Sequence, residues 1–168
     1  VIDLAARRGA ADPAAGTPAA QGLAQIRAAD PAFDLGIFLG GARAAFQMIV
    51  EAFAAGDTAR LGTLLSPEVL KNFSDAIAAR AAAGETLSTE LIAIRSTEIV
   101  DARLDGTVAQ VTVRFVSEQI NLLRDAEGRV VDGAPDRVVD VVDDWTFRRD
   151  VRARDPNWAL SATHAPEE

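Results

Sequence analysis

A chain of 168 residues that is 49% hydrophobic and carries a formal charge of -8 is long enough for one folded domain with its own core. The acidic balance argues against a nucleic-acid partner, which needs a dense basic footprint, and against tight docking of the whole surface on anionic lipid. The absence of Cys excludes disulfides and thiolate metal sites, and no apolar run approaches the roughly 20 residues that span a bilayer.

Residues 1–22 are rich in Ala, Gly and Pro and lack a sustained apolar stripe, so they read as a linker. Leu23 and Ile26 beside Arg27 then form a short apolar stretch, which makes residues 1–29 a flexible linker with a short helix. Folding is expected to begin at Asp30-Pro31, a helix-opening pair. From Leu35, the residues Phe38, Leu39, Ala42, Phe46, Ile49, Val50 and Phe53 recur at helical spacing. Gly56 supplies the left-handed cap. A short helix is expected over 58–65. Ser66-Pro67-Glu68 opens another, with Leu70, Phe73 and Ile77 on its buried face and Gly84 closing it.

Beyond Gly84 the period becomes two. A long strand is expected over 87–100, and a second places Val111, Val113 and Phe115 on one face. Turn signals at Asp125 to Gly128 and at Asp132-Gly133 precede a third strand with Val139, Val141, Trp145 and Phe147 on one face. Trp158 and Leu160 share a face of a fourth. Asp143 falls on the apolar face of the third strand, which requires either a bulge there or a rim position. Helices followed by a run of strands joined by short turns indicate an α+β fold with an antiparallel meander.

Three stretches together resemble the family of the mitochondrial inner-membrane translocase subunit 44 and its bacterial relatives. They are Asp30-Pro31-Ala32-Phe33-Asp34 leading into the segment from Phe38 to Phe46, then Val113-Arg114-Phe115, then Trp145-Thr146-Phe147-Arg148 followed by Pro156-Asn157-Trp158-Ala159-Leu160. The resemblance covers roughly residues 30–163. It implies N-terminal helices packed on the concave face of a curved four-stranded antiparallel sheet, similar to nuclear transport factor 2-like and cystatin-like domains, with residues 30–168 as the domain. It also implies an apolar pocket between helix and sheet, and a tethering role at an inner membrane. The region that engages the chaperone in the mitochondrial member has no counterpart here, so the implied role is a scaffold and not a motor.

The large apolar residues expected between helices and sheet are Phe38, Phe46, Ile49, Phe73, Ile77, Phe115, Trp145 and Trp158. They either fill the core or leave a pocket for an acyl chain or an apolar peptide segment. A membrane or partner-docking surface is expected from Leu23, Ile26, Arg27, Phe33 and Ile37. Gly36 and Gly40 lie four apart in a helix and each costs up to about 1 kcal/mol, so a close helix crossing, a break, or a docked partner helix should offset them. Residues 1–29 carry three Arg against two Asp, which confines attraction to anionic lipid to this end and favours a membrane anchor upstream of Val1.

Enzyme chemistry is the rival class, because related folds host isomerases and dehydratases. The chain has no Tyr and no Cys, and its single His164 lies in a polar tail; Asp143 and Asp144 point to opposite faces of a strand and form no dyad, while Asp140 and Asp144 share a face and read as a solvated acidic face. No phosphate-cradling loop, metal spacing or nucleophile elbow is present. The expectation is therefore a non-enzymatic scaffold without cofactor or metal. It would sit at the cytoplasmic periphery of a bacterial inner membrane, binding inner-membrane proteins and an apolar ligand but no nucleic acid. The bacterial assignment rests on usage: Lys71 is the only Lys among 17 basic residues, as in GC-rich coding. A pocket enzyme and a lipid or small-molecule carrier are the alternatives.

Overall fold

The computed structural model describes residues 12–166. Among these described residues, four helices precede five strands: α1 Pro18–Ala29, α2 Leu35–Ala55, α3 Thr58–Gly62, α4 Pro67–Ala82, β1 Thr86–Asp105, β2 Val108–Arg124, β3 Val130–Gly133, β4 Val139–Asp150 and β5 Ala159–His164. The strands form one antiparallel sheet in the order β1-β2-β4-β5, with the short β3 also pairing with β2. The sheet is curved and the helices lie on its concave face. It has one strand more than expected, because Asp132-Gly133 ends β3 instead of standing as a bare turn.

Local chemistry sets the helix ends. The Asp34 side chain accepts from the Ile37 N–H at 2.9 Å and starts α2. Gly56 ends it at φ 72°, and the Asp57 N–H bonds back to the Ala52 carbonyl at 2.9 Å. Arg80 of α4 then donates to the Phe53 and Ala54 carbonyls at 2.9 and 3.2 Å, adding a side-chain donor at the C-terminus of α2. Pro67 opens α4 as its spacing predicts, although the Ser66 hydroxyl makes no capping bond.

α2 is an unbroken helix of 21 residues, so no break accompanies its glycines. By length and composition it could cross a bilayer, which the sequence reading did not anticipate. Its apolar stripe is instead spent on the sheet. Leu35, Phe38, Leu39, Ala42, Phe46, Ile49 and Ala52 are buried against inward residues of β1, β2 and β4, chiefly Ile99, Val111, Val113, Phe115, Trp145 and Phe147.

α1 belongs to this core, so the folded part starts before Asp30. Thr17 caps it, accepting from the Ala20 N–H, and Ala19, Leu23 and Ile26 are buried against β1. The part of the expected linker in residues 1–11 lies outside the described residues.

β1 runs longer than expected, and register shifts between Leu91 and Ala93, Ile94 and Ser96, and Ile99 and Asp101 bend it. The opposite edge, β5, is covered by the segment before α4: the Leu160 N–H donates to the Leu64 carbonyl and the Ser66 N–H to the Leu160 carbonyl, both at 2.9 Å.

Candidate functional site

Side chains in the middle of the concave face interlock. The Phe46 ring stacks on Phe115 with centroids 4.4 Å apart, and Trp145 leans on both at 4.6 and 5.8 Å. With Ile49 at 1% exposure beside them, these four expected pocket residues fill the interior and line no cavity. Phe73 and Ile77 hold α4 to the end of α2. Phe73 packs edge-on against Phe53 at 5.2 Å, and Ile77 lies beside Gly56.

The opening lies at the other end. A groove of about 800 Å³ runs between the N-terminal half of α2 and the loop from β4 to β5. Phe33, from the turn between α1 and α2, and Trp158 line it together, packed edge to face with ring centroids 6.0 Å apart. Phe38 lies between them, 5.9 Å from Phe33, 4.9 Å from Trp158 and 6.0 Å from Phe147 on the floor. Met48, Ala45 and Leu64 extend the apolar lining. Ile37 stands at the mouth and is 77% exposed, the most exposed large apolar side chain among the described residues.

Of the eight residues expected to fill the core or line a pocket, Phe38 and Trp158 line this groove. The docking set divides too. Leu23 and Ile26 are fully buried by β1, so they are core residues and present nothing to a membrane. Arg27 pairs with Asp12 at 3.0 Å on the surface. Phe33 and Ile37 line the groove. Gly36 and Gly40 are exposed. A Cβ on Gly40 or Gly41 would meet nothing within 4 Å, so among the described residues no helix crosses α2 there.

The groove rim is polar. Asp34 is engaged in the α2 cap, and Asp30 pairs with Arg149 at 3.2 Å. Arg149 escaped the sequence reading, although a signal existed. It shares the inward parity of Trp145 and Phe147, and a guanidinium on an apolar face needs a partner.

Asp140, Asp143 and Asp144 of β4 do not form one site. Asp144 faces outward in a two-pronged pair with Arg114 at 2.8 and 3.0 Å, a bond that raises the arginine pKa further. Asp140 lies 3.7 Å from Arg95. Asp143 faces inward opposite Phe115 in unbroken register with β2, so the strand carries no bulge there and the rim position holds. Burial, and then repulsion from Asp144, push its pKa up. Its neighbours along the inward face of β2 are polar: Gln119 donates to Ser117 at 2.9 Å, and Asn121 to Gln119 at 3.1 Å. Neither Asp143 nor these residues line the groove. Among the described residues no group of three His, Cys, Asp or Glu is placed to hold a metal ion.

The family model described as Tim44-like domain matches residues 19–165. The mitochondrial import inner membrane translocase subunit TIM44-1 of Arabidopsis thaliana is 23% identical over 133 residues, which make up 79% of this chain and 28% of that relative. The chain therefore spans under a third of its relative's length. Among solved structures, the intermembrane space region of the chloroplast protein ARC6 matches with TM-score 0.52 and 18% identity over 74% of this chain and 92% of that one, a likeness of fold. A protein of the NTF2-like family from Streptomyces avermitilis gives TM-score 0.42 and 18% identity, over 79% of this chain and 96% of its own.

Proposed function

The chain belongs to the Tim44-like domain family, and on that premise we propose that it is a non-enzymatic tether at the cytoplasmic periphery of a bacterial inner membrane. Its groove takes an apolar segment of a membrane-protein partner, or an acyl chain. One observation carries this reading: an aromatic-lined groove of about 800 Å³ with Ile37 exposed at its mouth. Preformed apolar concavities of this size mark binding sites, and a large aliphatic side chain held in water at the rim costs solvation until something covers it. The glycine-bearing face of α2 lies beside the mouth and leaves room for close approach.

Direct bilayer insertion has less support. Leu23 and Ile26 are buried, and the charge of -8 repels anionic headgroups. Attachment to the membrane then comes from outside this domain, through the partner or through another part of the full protein.

A pocket enzyme of the nuclear transport factor 2-like class finds its one foothold in Asp143. That carboxyl does not line the groove, and the side chains that follow on the inward face of β2, Ser117, Gln119 and Asn121, are not titratable. General acid–base work needs a partner of that kind within reach of substrate.

Site-specific photo-cross-linking tests the tether. A benzophenone amino acid placed at Ile37, in cells that produce the protein, should give adducts with membrane-fraction proteins or lipid. The same group at Val142, exposed on the outer face of the sheet, should give few. Adducts from Ile37 confined to soluble proteins, or none above the Val142 background, would sink the proposal.

A further inference from the structure

The Phe33 turn and the Trp158 loop, whose rings meet in the groove lining, come from distant parts of the chain, and a single side chain is bonded to the supports of both. Arg149, 13% exposed, donates from Nη1 to Asp30 Oδ2 at 3.2 Å, from Nε to the Asp155 carbonyl at 3.1 Å and from Nη2 to the Ala153 carbonyl at 3.1 Å. On the first side, Asp30 builds the turn that presents Phe33. Its N–H closes α1 on the Ile26 carbonyl at 2.8 Å, its Oδ1 accepts from the Ala32 N–H at 3.2 Å and its carbonyl accepts from the Phe33 N–H at 3.0 Å. On the other, Asp155 Oδ1 accepts from the Asn157 N–H at 2.9 Å, one residue before Trp158.

Between its ends, where Val151 bonds to Thr107 and Trp158 packs on Phe33 and Phe38, the loop from β4 to β5 has little else to hold it. Arg152 through Asn157 are all exposed, and the remaining bonds of that stretch run between near neighbours. Arg149 and Asn157 also line a second, charged depression of about 450 Å³, so the guanidinium stands as the partition between it and the apolar groove.

We propose that Arg149 is the positioning residue of the groove: its three donors clamp the Phe33 turn to the Trp158 loop, so that the aromatic surface offered to an apolar occupant is formed before the occupant arrives. The proposal rests on the groove being the binding site. The physical reason is preorganisation. A wall already ordered spares the occupant the entropy of ordering it. The planar guanidinium can reach a carboxylate and two carbonyls at once, whereas a lysine ammonium on its flexible stem cannot hold that fork.

Two readouts test it, using the chain with both tryptophans. Trp145 is 5% exposed and Trp158 half-buried, so acrylamide quenching separates an inaccessible component from an accessible one that reports Trp158. Binding of dansyl-labelled undecanoic acid reports the groove. Arg149→Met should raise the quenching constant of the accessible component about twofold and weaken probe binding about tenfold, with Arg149→Lys in between. Arg114→Met, which breaks an ion pair on the outer face, should lower stability and leave both readouts unchanged. Quenching in a cooperatively unfolding Arg149→Met chain that matches Arg114→Met overturns the proposal, as does unchanged probe affinity. If Arg149→Met does not fold, Arg149→Lys is judged by the same criteria. If the wild-type chain binds no probe, the groove reading itself fails along with the binding half of this proposal. Quenching then still decides whether Arg149 holds the loop.

Discussion

Gly22 of α1 lies so near the backbone of Ala102 in β1 that a Cβ built on it would sit 1.7 Å from the Ala102 carbonyl oxygen and 2.3 Å from its carbon. Helix and strand approach here at backbone distance. This contact, with Leu23 and Ile26 beside it, fixes α1 to the edge of the sheet. Gly22→Ala should therefore be among the more damaging single-methyl substitutions in the chain. Overpacking of about 2–3 kcal/mol is expected, lowering Tm by roughly 5–10 °C for a domain of this size. Differential scanning calorimetry measures it, and an unchanged Tm would show that α1 moves aside at no cost.

Gly40→Ala should act with the opposite sign on stability. The added methyl meets nothing within 4 Å and the residue lies in the interior of a helix. Removing the backbone freedom of glycine should stabilise the chain by about 0.5–1 kcal/mol in denaturant melts. If a partner helix packs on this face, the same methyl weakens its binding while the free domain becomes more stable. Cross-linking yield from Ile37 in the Gly40→Ala background reads that split.

The two tryptophans should separate fold from function. Trp145 packs on Phe46 and Phe115 at 5% exposure, so Trp145→Ala should cost about 3–5 kcal/mol and unfold the chain before it alters binding. Trp158 is half-buried at the groove wall, and Trp158→Ala should cost about 1–2 kcal/mol while removing probe uptake. A well-folded Trp145→Ala chain with a binding defect would contradict this assignment.

The pH dependence should carry the signature of Asp143. Burial and the Asp144 charge raise its pKa in the folded state above the ordinary value of 3.8. The folded chain therefore holds this proton more tightly than the unfolded one. The stabilisation is complete below about pH 4 and is lost as pH rises through the raised folded value. Asp143→Asn should be more stable than wild type at pH 7, with the difference closing as pH falls toward 4. Asp144→Asn should lower the Asp143 pKa by removing the neighbouring charge. Urea melts across pH 4 to 7, with carboxyl NMR titration, test both.

Much of the architecture was legible in local pattern. The stripe from Leu35 to Phe53 gave α2, the alternation around Val113 and Trp145 gave the faces of β2 and β4, and Gly56 and Pro67 marked helix ends. Periodicity states which side of an element avoids water, and these elements are strongly two-sided. It is silent on what meets that side. The eight large apolar residues all read alike in sequence, yet Phe46, Phe115 and Trp145 interlock while Phe38 and Trp158 face an opening. Only the assembled geometry decides whether facing side chains interdigitate.

The Ala- and Gly-rich stretch ahead of Asp30 misled for a related reason. Small residues read as linker when taken alone, and Gly22 becomes necessary only once Ala102 lies against it. The same holds for Asp30 and Arg149, 119 positions apart and 3.2 Å from each other. The sequence by itself determined the order, type and buried side of most elements, because those follow from propensities and spacings within a few turns of chain. The tertiary structure alone decided where the core closes, where it stays open and which charges meet across it, because those depend on contacts between segments that no local spacing encodes.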